Sequence, residues 1–251
     1  MARQTGIIKL KGTIGDISFY KSADGHLARY KGGVDANRIA NDPAFQRTRE
    51  NGSEFGRAGK GGKVIRNAIR VLLQNAKDKR VVSRLTKSLV AITKTDTVNE
   101  RGLRTIEDGD MSTLQGFEFN ANGKLGATLF APYTTSLDRT TGDVDVSLAP
   151  FSPTVRIAAP GGTTHFKVVM GAAELDFANE SSTFESDETA ILPYDSANTA
   201  AIDLSVALPA NSALPILQVV GIEFYQEVNG QMYPLKNGAF NALAVAKVDT
   251  V

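Results

Sequence analysis

The sequence predicts an α+β protein: an N-terminal β-hairpin and basic helices, followed by an antiparallel, immunoglobulin-like β-sandwich. Apolar residues recur at helical spacing between residues 41 and 92, whereas beyond Met111 they alternate along short runs separated by turn residues. The charge changes sign near the same point, because residues 1–106 hold 22 Lys and Arg against 9 Asp and Glu, and residues 107–251 hold 6 against 18. The two segments therefore carry +13 and −12 within a total of +1.

The first element has the pattern of a β-hairpin. Apolar and polar residues alternate from Ile8 to Ile14, and a second run from Ile17 to Tyr20 leads into a turn at Ser22-Ala23-Asp24-Gly25. Glycine accepts the positive φ that a tight turn requires, so we expect a return strand over residues 26–31.

A helical region follows the hairpin. Asp42 is expected to cap a helix that Pro43 begins, since both residue types favour those positions. One face of this helix would carry Phe45, Thr48, Gly52 and Phe55. The glycine-rich run 56–63 is predicted to break the helix. Two apolar stripes then predict further helices, the second starting near Asp78: Ile65, Ala68, Ile69, Leu72 and Ala76, then Val82, Leu85, Leu89 and Ile92.

Cations in this region form the candidate docking or anion-binding surface. The predicted residues are Arg57, Lys60, Lys63, Arg66, Arg70, Arg80, Arg84, Lys87 and Lys94. Those on the last helix recur at i, i+4, i+7 and i+14, which favours a docking stripe for phosphate or an acidic protein but is also typical of a solvated helix face. The run 56–63 is not a phosphate-binding loop, because Arg57 stands where that motif needs glycine and Val64 follows Lys63. It is interpreted as a flexible connector, or as an anion contact at the next helix N-terminus.

Short alternating segments beyond Met111 predict the β part of the chain. A β-meander is expected first, with strands near 117–119, 125–130, 137 and 144–148. Seven strands of a sandwich are then expected near 164–170, 174–177, 189–192, 202–208, 216–227, 231–235 and 240–248. The predicted domains are a basic hairpin and helical domain (1–111), a β-meander (112–158) and an immunoglobulin-like sandwich (159–251).

The residue inventory predicts that the protein is not an enzyme and needs no cofactor. Cysteine is absent, and the two histidines, His26 and His165, lack any H-E-x-x-H, H-x-H or G-x-S-x-G context. An acidic run could bind Ca²⁺, but it lacks the D-x-D-x-D-G spacing and is interpreted as a solvated loop: Asp176, Glu180, Glu185, Asp187 and Glu188. A hydrolase built on converging carboxylates is the weakest alternative, since no motif favours it.

No targeting or membrane signal appears in the sequence. The first residues lack the apolar core of a secretion signal, and no apolar run approaches the roughly 18–20 residues of a membrane span. We therefore expect a cytoplasmic protein or a component of a released particle, with no small-molecule substrate evident.

Several N-terminal motifs resemble those of a family of Bacteroidota proteins of unknown function. The similar residues are the run Lys11 to Tyr20, the pair Asp24-Gly25, Arg29, Lys31-Gly32-Gly33 and Asn41-Asp42-Pro43-Ala44-Phe45. Members of that family have a K-G-x-x-G hairpin, a basic helical region and an immunoglobulin-like β-rich part. The resemblance implies a non-catalytic protein of bacteria, or of phages and mobile elements in that group.

These observations favour a structural or assembly protein that self-associates or docks through its basic N-terminal part, as in a phage-like particle or a filament. Its expected partners are other copies or an acidic protein surface, since complementary poles favour head-to-tail contacts. The alternative is nucleic-acid binding, because Phe19-Tyr20-Lys21 and Arg29-Tyr30-Lys31 interleave aromatic and basic residues, although hairpin packing also explains them. In a third interpretation, the basic and acidic segments pack against each other within one molecule.

Overall fold

The fold was determined as a computed structural model, which describes residues 2–22, 24–30 and 32–250. Ala23 of the predicted turn and Lys31 of the predicted return strand lie outside the described residues. The chain forms two compact units, Met1–Glu50 and Asn51–Val251. The predicted domain boundaries after residues 111 and 158 both lie inside the second unit.

The N-terminal unit is a small antiparallel sheet followed by two short helical turns. Its strands are β1 (Ala2–Arg3), β2 (Gly12–Ile14), β3 (Ile17–Ser22) and β4 (Gly25–Tyr30), in the order β1-β4-β3-β2. These helical turns are the short helix α1 (Ala36–Asn41) and a single 3-10 turn (Pro43–Phe45). Gly25 has a φ of 105°, which confirms the predicted hairpin. The Asp42 carboxylate accepts from the Ala44 N–H, which confirms the predicted cap.

The second unit begins with helices. They are α2 (Gln46–Ala68), which spans the boundary between the units, α3 (Arg70–Asn75) and α4 (Val81–Thr93). The prediction that residues 56–63 break the helix is wrong, because α2 continues through them, and Gly61 and Gly62 are buried where the helix packs on its neighbours. A Cβ on Gly61 would lie 2.2 Å from Ile106 Cδ1, so the glycine lets the Ile106 side chain approach the helix backbone.

Two short helices and nine strands follow. The helices are α5 (Leu125–Thr128) and α6 (Pro153–Arg156). The strands are β5 (Tyr133–Leu137), β6 (Asp143–Leu148), β7 (His165–Asp176), β8 (Ser181–Glu188), β9 (Leu192–Pro193), β10 (Ile202–Ala207), β11 (Ile216–Val228), β12 (Gln231–Pro234) and β13 (Ala242–Asp249).

These strands form two antiparallel sheets. The larger has the order β12-β11-β7-β8, with β13 also pairing β11 and β9 also pairing β7, and the smaller has the order β10-β6-β5. Apolar side chains between the two sheets, including Val146 and Phe166, form one core. The opposite face of the larger sheet packs on the helices through a second core that includes Leu85 and Leu217. The larger sheet is thus covered on both faces, and the predicted α+β class with a β-rich C-terminal part is confirmed.

The packing also shows that the basic helices and the acidic sheet share one core, as the third interpretation of the charge pattern expected. Ile65 and Leu89 of the helices belong to the same apolar cluster as Val169 and Leu243 of the sheet. An ion pair between Lys60 Nζ and Glu180 Oε1, 2.7 Å long, joins the two segments at the surface.

Several β predictions need correction. The segments 164–170 and 174–177 form one strand, β7, and the acidic run interpreted as a loop contains β8. Residues 125–130 begin with α5 instead of a strand, and residues 117–119 contribute an isolated bridge between Glu118 and Ala244. The sheet that pairs β10 with β6 joins residues of the predicted meander and of the predicted sandwich.

Candidate docking groove

An open groove lies between α2 and α4 on the helical side of the second unit. The core face of α4 is Val81, Leu85, Leu89 and Ile92, all of them buried. Val82, which the sequence pattern assigned to this face, is 50% exposed. The buried face keeps Leu85, Leu89 and Ile92 but begins with Val81 instead of Val82, which lines the groove.

The groove has a volume of about 850 Å³ and an apolar lining. Phe55 and Gly59 of α2 form one side, and Val82, Thr86, Val90 and Ala91 of α4 form the other. Phe55 is 62% exposed, which is unusual for a phenylalanine and leaves its ring available to a partner. Gly59 contributes open space, because a Cβ built on it would meet no atom within 4 Å.

Three lysines border the apolar lining: Lys79, Lys87 and Lys94. All three are exposed, and none forms an ion pair with a carboxylate of the described residues. Lys87 and Lys94 belong to the predicted docking set, whereas Lys79 was missed because it precedes α4 and does not share the helical spacing. The groove therefore combines an apolar interior with an uncompensated positive border.

Two members of the predicted docking set instead stabilise the fold. The Arg57 guanidinium donates to the backbone oxygens of Gly102 and Arg104 and holds that loop against α2. The Arg84 guanidinium donates to the Asp78 carboxylate and to the backbone oxygens of Glu118 and Phe119, and it stacks over the Phe117 ring.

The remaining members are distributed over the helical surface. Lys60 is paired with Glu180. Arg66 is half-buried, its pKa is lowered by burial, and its Nη1 has no partner among the described residues. Lys63, Arg70 and Arg80 are exposed. Residue 63 lies inside α2, so the helix N-terminus on which the predicted anion contact relied is absent from that place.

The acidic run is engaged in local contacts. Asp176 binds Asn179, Asp187 accepts from the Ser205 N–H at 3.1 Å, and Glu188 accepts from Lys167 Nζ at 2.9 Å. Within the described ranges, no group of three or more acidic or histidine side chains is arranged to hold a metal ion. His165 Nδ1 lies 2.9 Å from Thr164 Oγ1, and its Nε2 lies 4.0 Å from Glu227 Oε2.

A smaller cavity of about 190 Å³ adjoins the buried carboxylate of Glu223. Both of its oxygens accept hydrogen bonds, Oε1 from Asn75 Nδ2 at 2.9 Å and Oε2 from the Tyr225 hydroxyl at 2.7 Å. Burial, together with the Glu223 carboxylate, raises the pKa of Tyr225. These polar groups satisfy one another, so we interpret the cavity as part of the packing between α3 and the larger sheet.

Comparisons with known proteins complete the description. No family model matches the chain, and no curated protein matches it. One solved structure with a partial similarity comes from work on pH-induced modulation of Streptococcus parasanguinis adhesion by Fap1 fimbriae; it is 12% identical, the match covers 45% of this chain and 78% of that chain, and the TM-score is 0.23. Such a score establishes neither a common fold nor a common function. Among the described helices, none combines the length and the apolar character needed to cross a membrane.

Proposed function

We propose that this chain is a non-enzymatic structural or assembly protein that docks through the groove between α2 and α4. The single observation that carries the proposal is an exposed apolar groove bordered by three lysines that form no ion pair with a described carboxylate. An exposed aromatic ring inside a groove is typical of the anchor at the centre of a protein interface. Charges at the border would guide and orient the partner more than they would tighten binding.

The partner that fits this border is the acidic sandwich of another copy. Residues 107–251 carry a net charge of −12, and this part also exposes apolar side chains. Val228 and Tyr233 at the β11–β12 hairpin are 44% and 55% exposed, next to Glu227. A groove on one copy that binds a different surface on the next is a heterologous contact, which produces rings or open filaments. A phage-like particle or a cytoplasmic filament of a Bacteroidota host suits this arrangement.

Filling the groove tests the proposal. Gly59→Leu places a side chain in the groove, and Gly56→Leu is a matched control on the same helix, since neither glycine has an atom within 4 Å of an added Cβ. Light scattering of the full chain at low salt should show assemblies larger than a dimer for the native protein and for Gly56→Leu. Gly59→Leu should weaken this association by about tenfold or more, the equivalent of roughly 1.4 kcal/mol.

Salt provides the second arm of the same experiment. Because the border is charged, higher ionic strength should dissociate the native assemblies. Assemblies that are unaffected by both salt and Gly59→Leu, or a native chain that never exceeds a dimer, would contradict the proposal.

Nucleic-acid binding is the second candidate, and one contact in the N-terminal sheet favours it. The Arg29 guanidinium lies 5.5 Å from the centre of the Tyr20 ring, on the face of the sheet that also carries Arg3. Aromatic and basic side chains on one sheet face are typical of single-strand binding. A gel shift of the native chain with single-stranded DNA at low salt tests this candidate. The candidate is excluded if the chain shifts neither a short nor a longer oligonucleotide.

A further inference from the structure

One face of the N-terminal sheet is apolar, and its described side chains are exposed or only partly buried. Paired residues of antiparallel strands share a face, so the cross-strand pairs Ile14 with Ile17, Ile17 with Tyr30, and Phe19 with Ala28 place five side chains together. Ile14, Ile17 and Tyr30 are 62%, 44% and 71% exposed. This is the composition of a sheet surface that normally packs on a second layer.

The unit that contains this face has no core of its own. Among residues 2–22, 24–30 and 32–50, none is buried. A four-stranded sheet needs a covered apolar face for its stability, because the hydrogen bonds of exposed strands contribute little net free energy. A partner layer is therefore required to order the strands firmly.

The charges at the two ends of the face indicate which partner fits. At one end the Tyr30 hydroxyl donates to the Asp16 carboxylate at 3.2 Å. At the other end Lys21 pairs across the strands with His26, and the turn carries Asp24. The middle holds only uncharged side chains. When a two-fold axis relates two copies of this face, their strands run in opposite directions. Lys21 of each copy then lies next to Asp16 of the other copy, at both ends of the face.

We propose that the N-terminal sheets of two copies pack face to face about a two-fold axis, with the apolar face centred on Ile17 and Phe19 as the interface. The second copy supplies the missing layer. The same apolar residues of both copies are buried in the contact. This contact is isologous and closes on itself, whereas the groove contact is open. The two interfaces are independent, so the dimer is expected whether or not the groove binds.

A cross-linking experiment on the full chain tests this proposal, since the protein has no cysteine of its own. Ala28→Cys introduces a thiol near the centre of the apolar face, and Ser18→Cys introduces one on the opposite face of the same sheet. Packed sheets lie about 10 Å apart, which a short bismaleimide can span. At high salt, where the groove contact is screened, Ala28→Cys should give cross-linked dimers as its main product, and Ser18→Cys should give at least about tenfold less.

A third variant separates the interface from a general effect of the thiol. Ile17→Asp in the Ala28→Cys background places a carboxylate in the interface and should abolish both the cross-link and the dimer in light scattering, while Lys11→Asp in the same background changes the charge outside the strands and should keep both. Equal cross-linking from both faces, no cross-link from Ala28→Cys, or dimers that persist with Ile17→Asp would overturn the proposal. Since these measurements are made at high salt and can be repeated with Gly59→Leu, failure of the dimer is distinct from failure of the groove.

Discussion

The two units of this chain use apolar side chains in opposite ways. In the second unit, the larger sheet is covered on both faces and fully buries side chains as large as Phe166 and Phe224. In the N-terminal unit, apolar side chains also share one face of the strands, yet no described residue is buried. The difference teaches that an apolar sheet face is covered where the unit supplies a second layer, as the helices and the smaller sheet do for the larger sheet.

The largest expected effect is the contrast between two phenylalanines. Phe166→Ala should lower the free energy of unfolding by about 3–5 kcal/mol, because Phe166 lies between the two sheets with no exposed surface. Phe19→Ala, on a half-buried side chain of the N-terminal sheet, should change the main unfolding transition by less than about 1 kcal/mol. Urea denaturation of the full chain measures both, and similar losses for the two variants would remove the contrast between the units.

A smaller effect is expected from the arginines of the predicted basic stripe. Arg84→Ala should lower the free energy of unfolding by about 1–3 kcal/mol, because it removes the guanidinium donor to the Asp78 carboxylate and to the backbone oxygens of Glu118 and Phe119. Arg80→Ala, an exposed neighbour on the same stripe, should stay within about 0.5 kcal/mol of the native protein. Thermal unfolding followed by circular dichroism distinguishes the two, and a large loss for Arg80→Ala would place it in the fold rather than on its surface.

The pH dependence of stability should have a larger contribution from buried Asp96 than from half-exposed Asp42. Burial raises the pKa of Asp96, but hydrogen bonds from Asn99, Thr105 and Val98 outweigh it and lower the pKa below that of the unfolded chain. A lowered pKa stabilises the fold above the unfolded value of about 3.9, and this stabilisation is lost as the pH falls below it.

Asp96→Asn should therefore flatten the acid limb of the stability profile and cost about 1–2 kcal/mol at neutral pH, where the charged acceptor is removed. The pKa of Asp42 is also lowered, by the Ala44 N–H and Arg38, but solvent screens this group, so Asp42→Asn should leave the profile nearly unchanged. Unfolding free energies measured across acidic pH check both variants. An acid limb that is the same in Asp96→Asn as in the native chain would contradict the assignment.

The smallest expected effect is at the exposed part of α2. Gly52→Ala should raise the free energy of unfolding by about 0.5–1 kcal/mol, because an added Cβ meets no atom within 4 Å and alanine favours the helix. Gly61→Ala on the same helix should destabilise, since its Cβ would collide with Ile106. Paired denaturation curves measure the two changes, and opposite signs are required.

Local features of the fold could be predicted from the sequence. Gly25 after an acidic residue predicted the hairpin, and Asp42 before Pro43 predicted a helical start. The continuity of α2 could not be predicted, because Gly61 packs against Ile106, which lies 45 positions further along the chain. Strand β8 was missed for a related reason: its exposed positions carry acidic and hydroxyl residues, and Phe184 is the side chain that it packs against the helical core.

The candidate site was only half predictable. Helical spacing predicted Lys87 and Lys94 on one side of α4, and in the structure both border the groove. The same spacing permitted either Val81 or Val82 in the core, and the packing of the helix against the sheet selected Val81. The exposure of Val82 and its position in the groove with Phe55 therefore follow from the packing and could not be known from the sequence.

Burial on both faces has a consequence for how the larger sheet finds its strand register. Sliding a strand by one residue normally exchanges its apolar and polar faces, but in β11 both faces are apolar, so such a slip would still bury apolar side chains. Buried amides distinguish the correct register instead. Gln218 Nε2 donates to the backbone oxygen of Asp145 at 2.9 Å, and Asn241 Oδ1 accepts from the Phe224 N–H at 3.0 Å. A strand slipped by one residue would lose these two hydrogen bonds and leave Gln218 Nε2 and the Phe224 N–H buried without them, so the two amides favour the correct register.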